Sequence, residues 1–162
     1  MPRRLIHGDP KLANILFDRA TNMACSLIDL DTIGPGLIHH DLSDLIRSCC
    51  NRAGEESPLR NISFDLELAK AILTGYSKET ASFLTPAEIN LISKSLWLIP
   101  FELGVRFLND YLAGSIYFKT SSPHQNLNRA QNQFKLAMEI EQNQAELTNH
   151  INCCFSFSKK EI

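Results

Sequence analysis

Two short apolar runs lie near the start of the chain. Ile15-Leu16-Phe17 and the stretch 23–28 flank the polar segment Asp18-Arg19-Ala20-Thr21-Asn22. Short apolar runs around a polar turn predict a β-hairpin. Thr32-Ile33-Gly34-Pro35-Gly36 then reads as a turn. From about residue 40 the apolar spacing changes to three- and four-residue steps, the period of a helix. A first helix is expected over 41–50, capped by Asp41, with Leu42, Leu45 and Ile46 on one face. The stretch 51–63 is polar and loop-like, most exposed at 54–58. A second helix is expected over 64–76, burying Leu66, Ala69, Ile72 and Leu73. Thr85-Pro86-Ala87-Glu88 is a strong helix start, with a cap, a proline in the first turn and a glutamate three after the cap. That helix carries Ile89, Ile92, Leu96 and Ile99, and Pro100 should break or kink it. Further helices are expected over 101–113 and 127–150, with a loop at 121–123. The pattern predicts a mostly helical α+β fold, a small hairpin beside a helical bundle. The helical part spans 40–150 and a frayed tail spans 151–162.

Composition narrows the class of protein. A length of 162 residues suits one domain, and 44% hydrophobic residues suffice for a core. The formal net charge of −2 gives no basic footprint for nucleic acid. No long apolar run marks a membrane span or a signal peptide. The five cysteines include the adjacent pairs Cys49-Cys50 and Cys153-Cys154 but no C-x-x-C pattern. Reduced thiols and a cytoplasmic location are the expectation.

The chemistry is concentrated before residue 32. His7-Gly8-Asp9-Pro10-Lys11-Leu12-Ala13-Asn14 places an aspartate and an asparagine five positions apart. Phosphoryl transfer needs a carboxylate beside the acceptor hydroxyl and side-chain oxygens that hold magnesium on the phosphates. The kinase signature puts its base and a metal asparagine five apart on one loop, with another aspartate a strand later. Asp9 and Asn14 have that separation, and Asp29 ends the apolar run Ser26-Leu27-Ile28. A hairpin would bring Asn14, at its start, to Asp29, at its end. Two oxygen ligands so placed suit magnesium. Lys11, two residues after Asp9, can meet a transferred phosphoryl group as a point charge.

These motifs, with the stretch 27–36, resemble the aminoglycoside phosphotransferase and choline kinase superfamily of small-molecule kinases. The stretch 27–32 and the segment 106–119 are most similar to the branch containing N-acetylhexosamine 1-kinase. The similarity runs from residue 5 to about 141. It implies the large, C-terminal lobe of a protein-kinase-like fold over 1–150, with catalytic loop and metal hairpin at 5–36. It implies Asp9 as catalytic base, and Asn14 and Asp29 as magnesium ligands, with Asp31 as an extra metal or outer ligand. It implies His7 and Asp41 as structural support, Asp41 bracing the loop from behind. It implies ATP and Mg2+ as co-substrate and cofactor, and a small-molecule acceptor.

The chain departs from that pattern. None of the seven glycines forms a G-x-G-x-x-G loop, and no Val-Ala-Ile-Lys strand precedes residue 7. The nucleotide-covering N-lobe is therefore expected to be missing from this chain. A second chain or a missing lobe would be its partner, and weak or no turnover is expected of it alone. Two function classes stand. One is a kinase lobe phosphorylating a hydroxyl on a small molecule, with amino sugar, aminoglycoside, choline-like alcohol and homoserine as candidate acceptors. The other is a non-catalytic remnant acting as a binding module. Glu102, Arg106 and Asp110 recur every four residues along one helix face. They fit solvated salt-bridge partners or an acceptor pocket equally well. His39 and His40 are adjacent and point in different directions, which argues against a metal pair. Trp97 and Phe107 are expected in the core.

Overall fold

The computed structural model describes residues 1–157. Among them are four short strands and five α-helices. Strand β1 (Arg4–Ile6) pairs antiparallel with β4 (Gly34–Gly36), with Leu5 opposite Pro35. Strand β2 (Ile15–Phe17) pairs antiparallel with β3 (Ala24–Leu27), Ile15 facing Leu27. The second pair is the predicted hairpin. Its turn is organised by Asp18, whose Oδ1 accepts hydrogen bonds from Ala20 N, Thr21 N and Thr21 Oγ1. The β1–β4 pair was outside the sequence expectation, which read the residues of β4 as a turn. Three-residue strands of this kind carry too little alternation to be seen.

The helices are α1 (Ile38–Cys49), α2 (Leu66–Thr80), α3 (Pro86–Leu112), α4 (Gln125–Gln142) and α5 (Gln144–Phe157). Helix α3 is central, packed against α1, α4 and α5, while α2 lies on α5. The core is built from Leu42 and Ile46, Leu73, Ile92 and Leu96, Leu136 and Ile140, and Leu147. Phe107 is buried, and Trp97 is half-buried against this core, as expected.

Four expectations are corrected. Helix α1 begins at Ile38, after Leu37, so Asp41 lies in its first turn and is not its cap. Helix α3 runs unbroken through Pro100. A proline inside a helix costs roughly 3 kcal/mol. Here buried side chains on both sides of it, Leu96 and Phe107, keep the helix continuous. The expected single helix over 127–150 is two helices that meet at Asn143. The Asn143 amide donates to Glu139 O at 2.8 Å, competing with the backbone for that carbonyl. The residues from 151 onward, expected to fray, are helical through Phe157, and Ile151 and Phe155 are buried. The rest of that expected tail lies outside the described residues.

The 51–63 segment is also less free than its polarity suggests. Asn132 of α4 donates to the carbonyls of Glu55 and Ser57, both at 2.8 Å. Lys135 donates to Leu59 O, and Glu139 accepts from Phe64 N at 2.7 Å. Asp65 caps α2 by accepting from Leu68 N at 2.9 Å. The segment is thereby laid along α4, and Glu55 lines a hollow of about 340 Å³ that it shares with Asp9 and Arg47.

Candidate active site

The loop 7–14 is held on two sides. The Asp41 carboxylate accepts from His7 N at 2.7 Å and from Gly8 N at 2.9 Å. Ser48 Oγ, about two turns further along the same face of α1, accepts from Leu12 N at 2.9 Å. On the other side, Thr32 Oγ1 donates to His7 O at 2.7 Å. The buried His7 ring uses both nitrogens. Nδ1 accepts from Asp9 N at 3.3 Å, so Nε2 donates to Ile28 O at 3.0 Å. Donor and acceptor roles leave one tautomer of the neutral ring. His7 and Asp41 therefore touch the loop backbone, the place from which they can support it.

The same loop gathers the polar groups. Asn14 is buried at the start of the hairpin. Its Nδ2 lies 2.9 Å from Asp9 O, 3.3 Å from Asp9 Oδ2 and 3.3 Å from Asp29 Oδ2. Lys11 Nζ is 2.5 Å from Asp9 Oδ2. Asp9 Oδ1 has no hydrogen-bond partner among the described residues. Asp29 arrives from the far end of the hairpin in the left-handed region, φ 66° and ψ 58°. A non-glycine residue there is held in a strained conformation at a cost of about 1–2 kcal/mol, the kind of strain concentrated at functional sites. Asp31 is exposed on the single 3-10 turn Leu30–Thr32 that follows. The structure thus brings Asp9, Lys11, Asn14 and Asp29 together and leaves Asp31 on the adjacent turn.

Beside Asp9 is a cleft of about 830 Å³. Glu102 and Arg106 line it from α3, and form an ion pair at 3.7 Å. Leu98, Ile99 and Leu103 give it an apolar wall. Asp110 behaves differently. It is buried, and accepts from Ile116 N at 3.0 Å, Tyr117 N at 2.8 Å and Phe118 N at 3.0 Å. Asn126 Nδ2 adds a fourth bond at 2.8 Å. Those backbone donors, Tyr117 first, hold its carboxyl below the usual carboxylate range. The expectation of an acceptor contact at Asp110 is corrected, because its oxygens are consumed in folding the 115–118 turn. Asp110→Ala should speed amide hydrogen exchange at residues 116–118 at least tenfold, read by NMR.

Three contributors escaped the sequence. Thr32 and Ser48 hold the loop through single hydroxyls, which carry no distinctive spacing. Arg47 lines the cleft from α1, between Asp44 and Glu55. The acid–base pair at 44 and 47 is three apart on one helix face, a signal that was there to be used. His39 is buried with Nε2 2.8 Å from Glu88 O, while His40 faces the cleft, so the two histidines do diverge.

Among the described residues no three His, Cys, Asp or Glu side chains converge as metal ligands. Magnesium does not require such a set. It is commonly held by one or two carboxylates together with substrate phosphates and water. Three acceptors, Asp9 O, Asp9 Oδ2 and Asp29 Oδ2, surround the Asn14 Nδ2, so the donor end of the amide faces the carboxylates. The Asp29 carboxylate fits magnesium, and the other end of the Asn14 amide, Oδ1, is the oxygen that residue would offer.

A loop carboxylate, a neighbouring lysine and an amide–carboxylate pair across a hairpin thus form one polar cluster beside the cleft. A sequence model of the phosphotransferase enzyme family matches residues 1–81. That is half of the chain and contains the whole of this cluster, so the chain belongs to that family.

Proposed function

We propose that this chain is the catalytic lobe of a small-molecule kinase of that family. It would transfer the γ-phosphoryl group of ATP to a hydroxyl of a small acceptor, with an amino sugar first among the candidates. The observation that carries the reading is the Asn14 amide, which lies within 3.3 Å of both the Asp9 and Asp29 carboxylates. In this reading Asp9 Oδ1 takes the proton of the acceptor hydroxyl. The new O–P bond forms as the bond to the leaving ADP oxygen breaks. Lys11 and Asn14 hold Asp9 Oδ2 and so keep Oδ1 turned to the cleft. Lys11 also balances charge on the moving phosphoryl group. Asp29 and Asn14 would hold magnesium, which supplies charge neutralisation on the phosphates when bound. Asp31 would serve from the outer side of that site. Glu102 and Arg106 would contact the acceptor.

The nucleotide must also be covered from the other side. Leu16, Phe17, Met23, Leu27, Ile28 and Leu30 are large apolar side chains left exposed on the hairpin and the turn after it. We propose this apolar face as the seat of a nucleotide-covering lobe or partner chain.

Calorimetric titration with Mg-ATP tests the reading. Magnesium-dependent binding is expected, weakened at least tenfold by Asp29→Asn. Equal binding with and without magnesium, or no effect of the substitution, would remove Asp29 from the metal site. A folded chain that binds no nucleotide would favour a non-catalytic binding module.

A further inference from the structure

The most constrained charge in the cleft is one that the proposed chemistry has not used. Arg47 sits on α1 with its side chain only 10% exposed. Its Nε donates to Asp44 Oδ1 at 2.7 Å, and its Nη1 donates to Glu55 Oε2 at 3.2 Å. Glu55 is itself held by Asn132 through its carbonyl, and Gln133 Nε2 approaches its carboxylate at 3.4 Å. A guanidinium has five N–H donors in a rigid fork. Two are engaged here, and Nη2 has no partner among the described residues. Arg47 lines the main cleft and also an adjoining hollow of about 340 Å³, and Asp9 lines both. An arginine fixed by two carboxylates, with unused donors where two cavities meet beside the proposed base, is built to bind an oxygen.

We infer that Arg47 is a specificity-determining residue that anchors an oxygen of the acceptor beside Asp9, so that the acceptor class is an uncharged, oxygen-rich molecule such as a sugar. The inference rests on the phosphotransferase reading for the word acceptor, and on the cleft geometry alone for the anchor. Charge supports the choice of class. Around the two cavities the carboxylates of Asp9, Asp44, Glu55 and Glu102 are paired with Lys11, Arg47, Arg106 and Arg129. A polyamine would have to displace these cations from their partners. A hydroxyl or amide carbonyl can take the free Arg47 donors while those pairs stay intact. The hydrogen bond would orient the acceptor, and Arg47 itself would transfer no proton.

Titration of the isotope-labelled full chain with N-acetylglucosamine, and separately with the polycation kanamycin, tests this by NMR. N-acetylglucosamine should shift the Arg47 Nε–Hε resonance and the amides around it. Kanamycin should bind at least tenfold more weakly. Arg47→Lys keeps the charge but loses the fork, and should raise the sugar Kd tenfold or more with an unchanged circular dichroism spectrum. If that variant fails to fold, the wild-type Arg47 resonance decides alone. The inference is overturned by an unmoved Arg47 resonance, by a Kd within twofold of wild type in a folded Arg47→Lys, by kanamycin binding as tightly as the sugar, or by no sugar binding at all. The Mg-ATP titration is independent of these outcomes. Sugar binding through Arg47 without nucleotide binding would count against a nucleotide site on this chain alone and leave the anchor standing.

Discussion

Glu88→Ala should destabilise the fold by about 3–5 kcal/mol, the range for removing one partner of a buried ion pair. For a chain of this size the melting temperature should fall by roughly 10 °C. Glu88 is buried at the start of α3 and serves two structures at once. Its Oε2 accepts from Thr85 N and Thr85 Oγ1, each at 2.8 Å, completing the cap of α3. Its carboxylate also accepts from Arg4 Nε at 2.7 Å and Arg4 Nη2 at 2.9 Å, a two-pronged pair. Arg4 further donates to Phe83 O at 2.8 Å and lies over the Phe83 ring. Alanine at 88 leaves the Arg4 guanidinium without its carboxylate and opens the helix cap. Because Arg4 begins β1, which leads directly into His7, the loss should reach the 7–14 loop. Arg4→Ala should also be costly, since it leaves the buried Glu88 carboxylate without its cation, although it spares the Thr85 cap.

The same pair predicts a pH dependence. The Arg4 guanidinium, followed by the Thr85 donors, holds the Glu88 carboxyl down at about 2, against an ordinary value of 4.5. A carboxyl whose folded pKa is depressed stabilises the fold above its unfolded pKa. That stability is lost as the pH falls through the folded value. Thermal melts between pH 5 and pH 2, roughly the window these pKa values span, should therefore show a steeper decline for the wild type than for Glu88→Ala. Parallel declines would mean that the pair does not control acid stability.

What could be read from the sequence follows the range of the interaction. The hairpin, the cap at Thr85 and the five-residue spacing of Asp9 and Asn14 are local patterns, and each is present in the structure. The Arg4–Glu88 pair joins residues 84 apart in sequence, and one arginine in a short strand gives no sign of its partner. Pro100 misleads because intrinsic helix cost is only a few kcal/mol, and burial on both sides overrides it. Asp110 misleads for a different reason. Its spacing from Glu102 and Arg106 is right for a shared face, but the chain after α3 turns back over it and takes its oxygens. Asp44, Arg47 and Glu55 form one ion-pair group only because α4 draws the 51–63 segment down. A polar stretch looks like free loop until the helix that holds it is known.

In the proposed kinase, assayed with its covering lobe or partner supplied, Gly8→Ala should slow phosphoryl transfer by about a hundredfold, the scale of a displacement of about 1 Å in a reacting group. Gly8 has φ +88°, a conformation that side-chain-bearing residues rarely adopt. A Cβ there would lie 2.7 Å from Thr32 O and 3.0 Å from Thr32 Cβ. Neither neighbour can yield easily. Thr32 is tied to His7 O, and the Gly8 N–H is tied to Asp41. The loop must therefore move, and Asp9 is the next residue. A shift there separates Oδ2 from Lys11 and Asn14, which together leave Oδ1 free for its proposed role as base. The fold should survive, with a loss of about 1–3 kcal/mol for local strain, because the helical core lies away from this loop. The measurement is a transfer rate set beside a thermal melt for the same variant. A large fall in rate with a modest fall in melting temperature would place the effect at Asp9. A rate within threefold of wild type would mean that the Asp41 and Thr32 contacts do not govern where Asp9 sits.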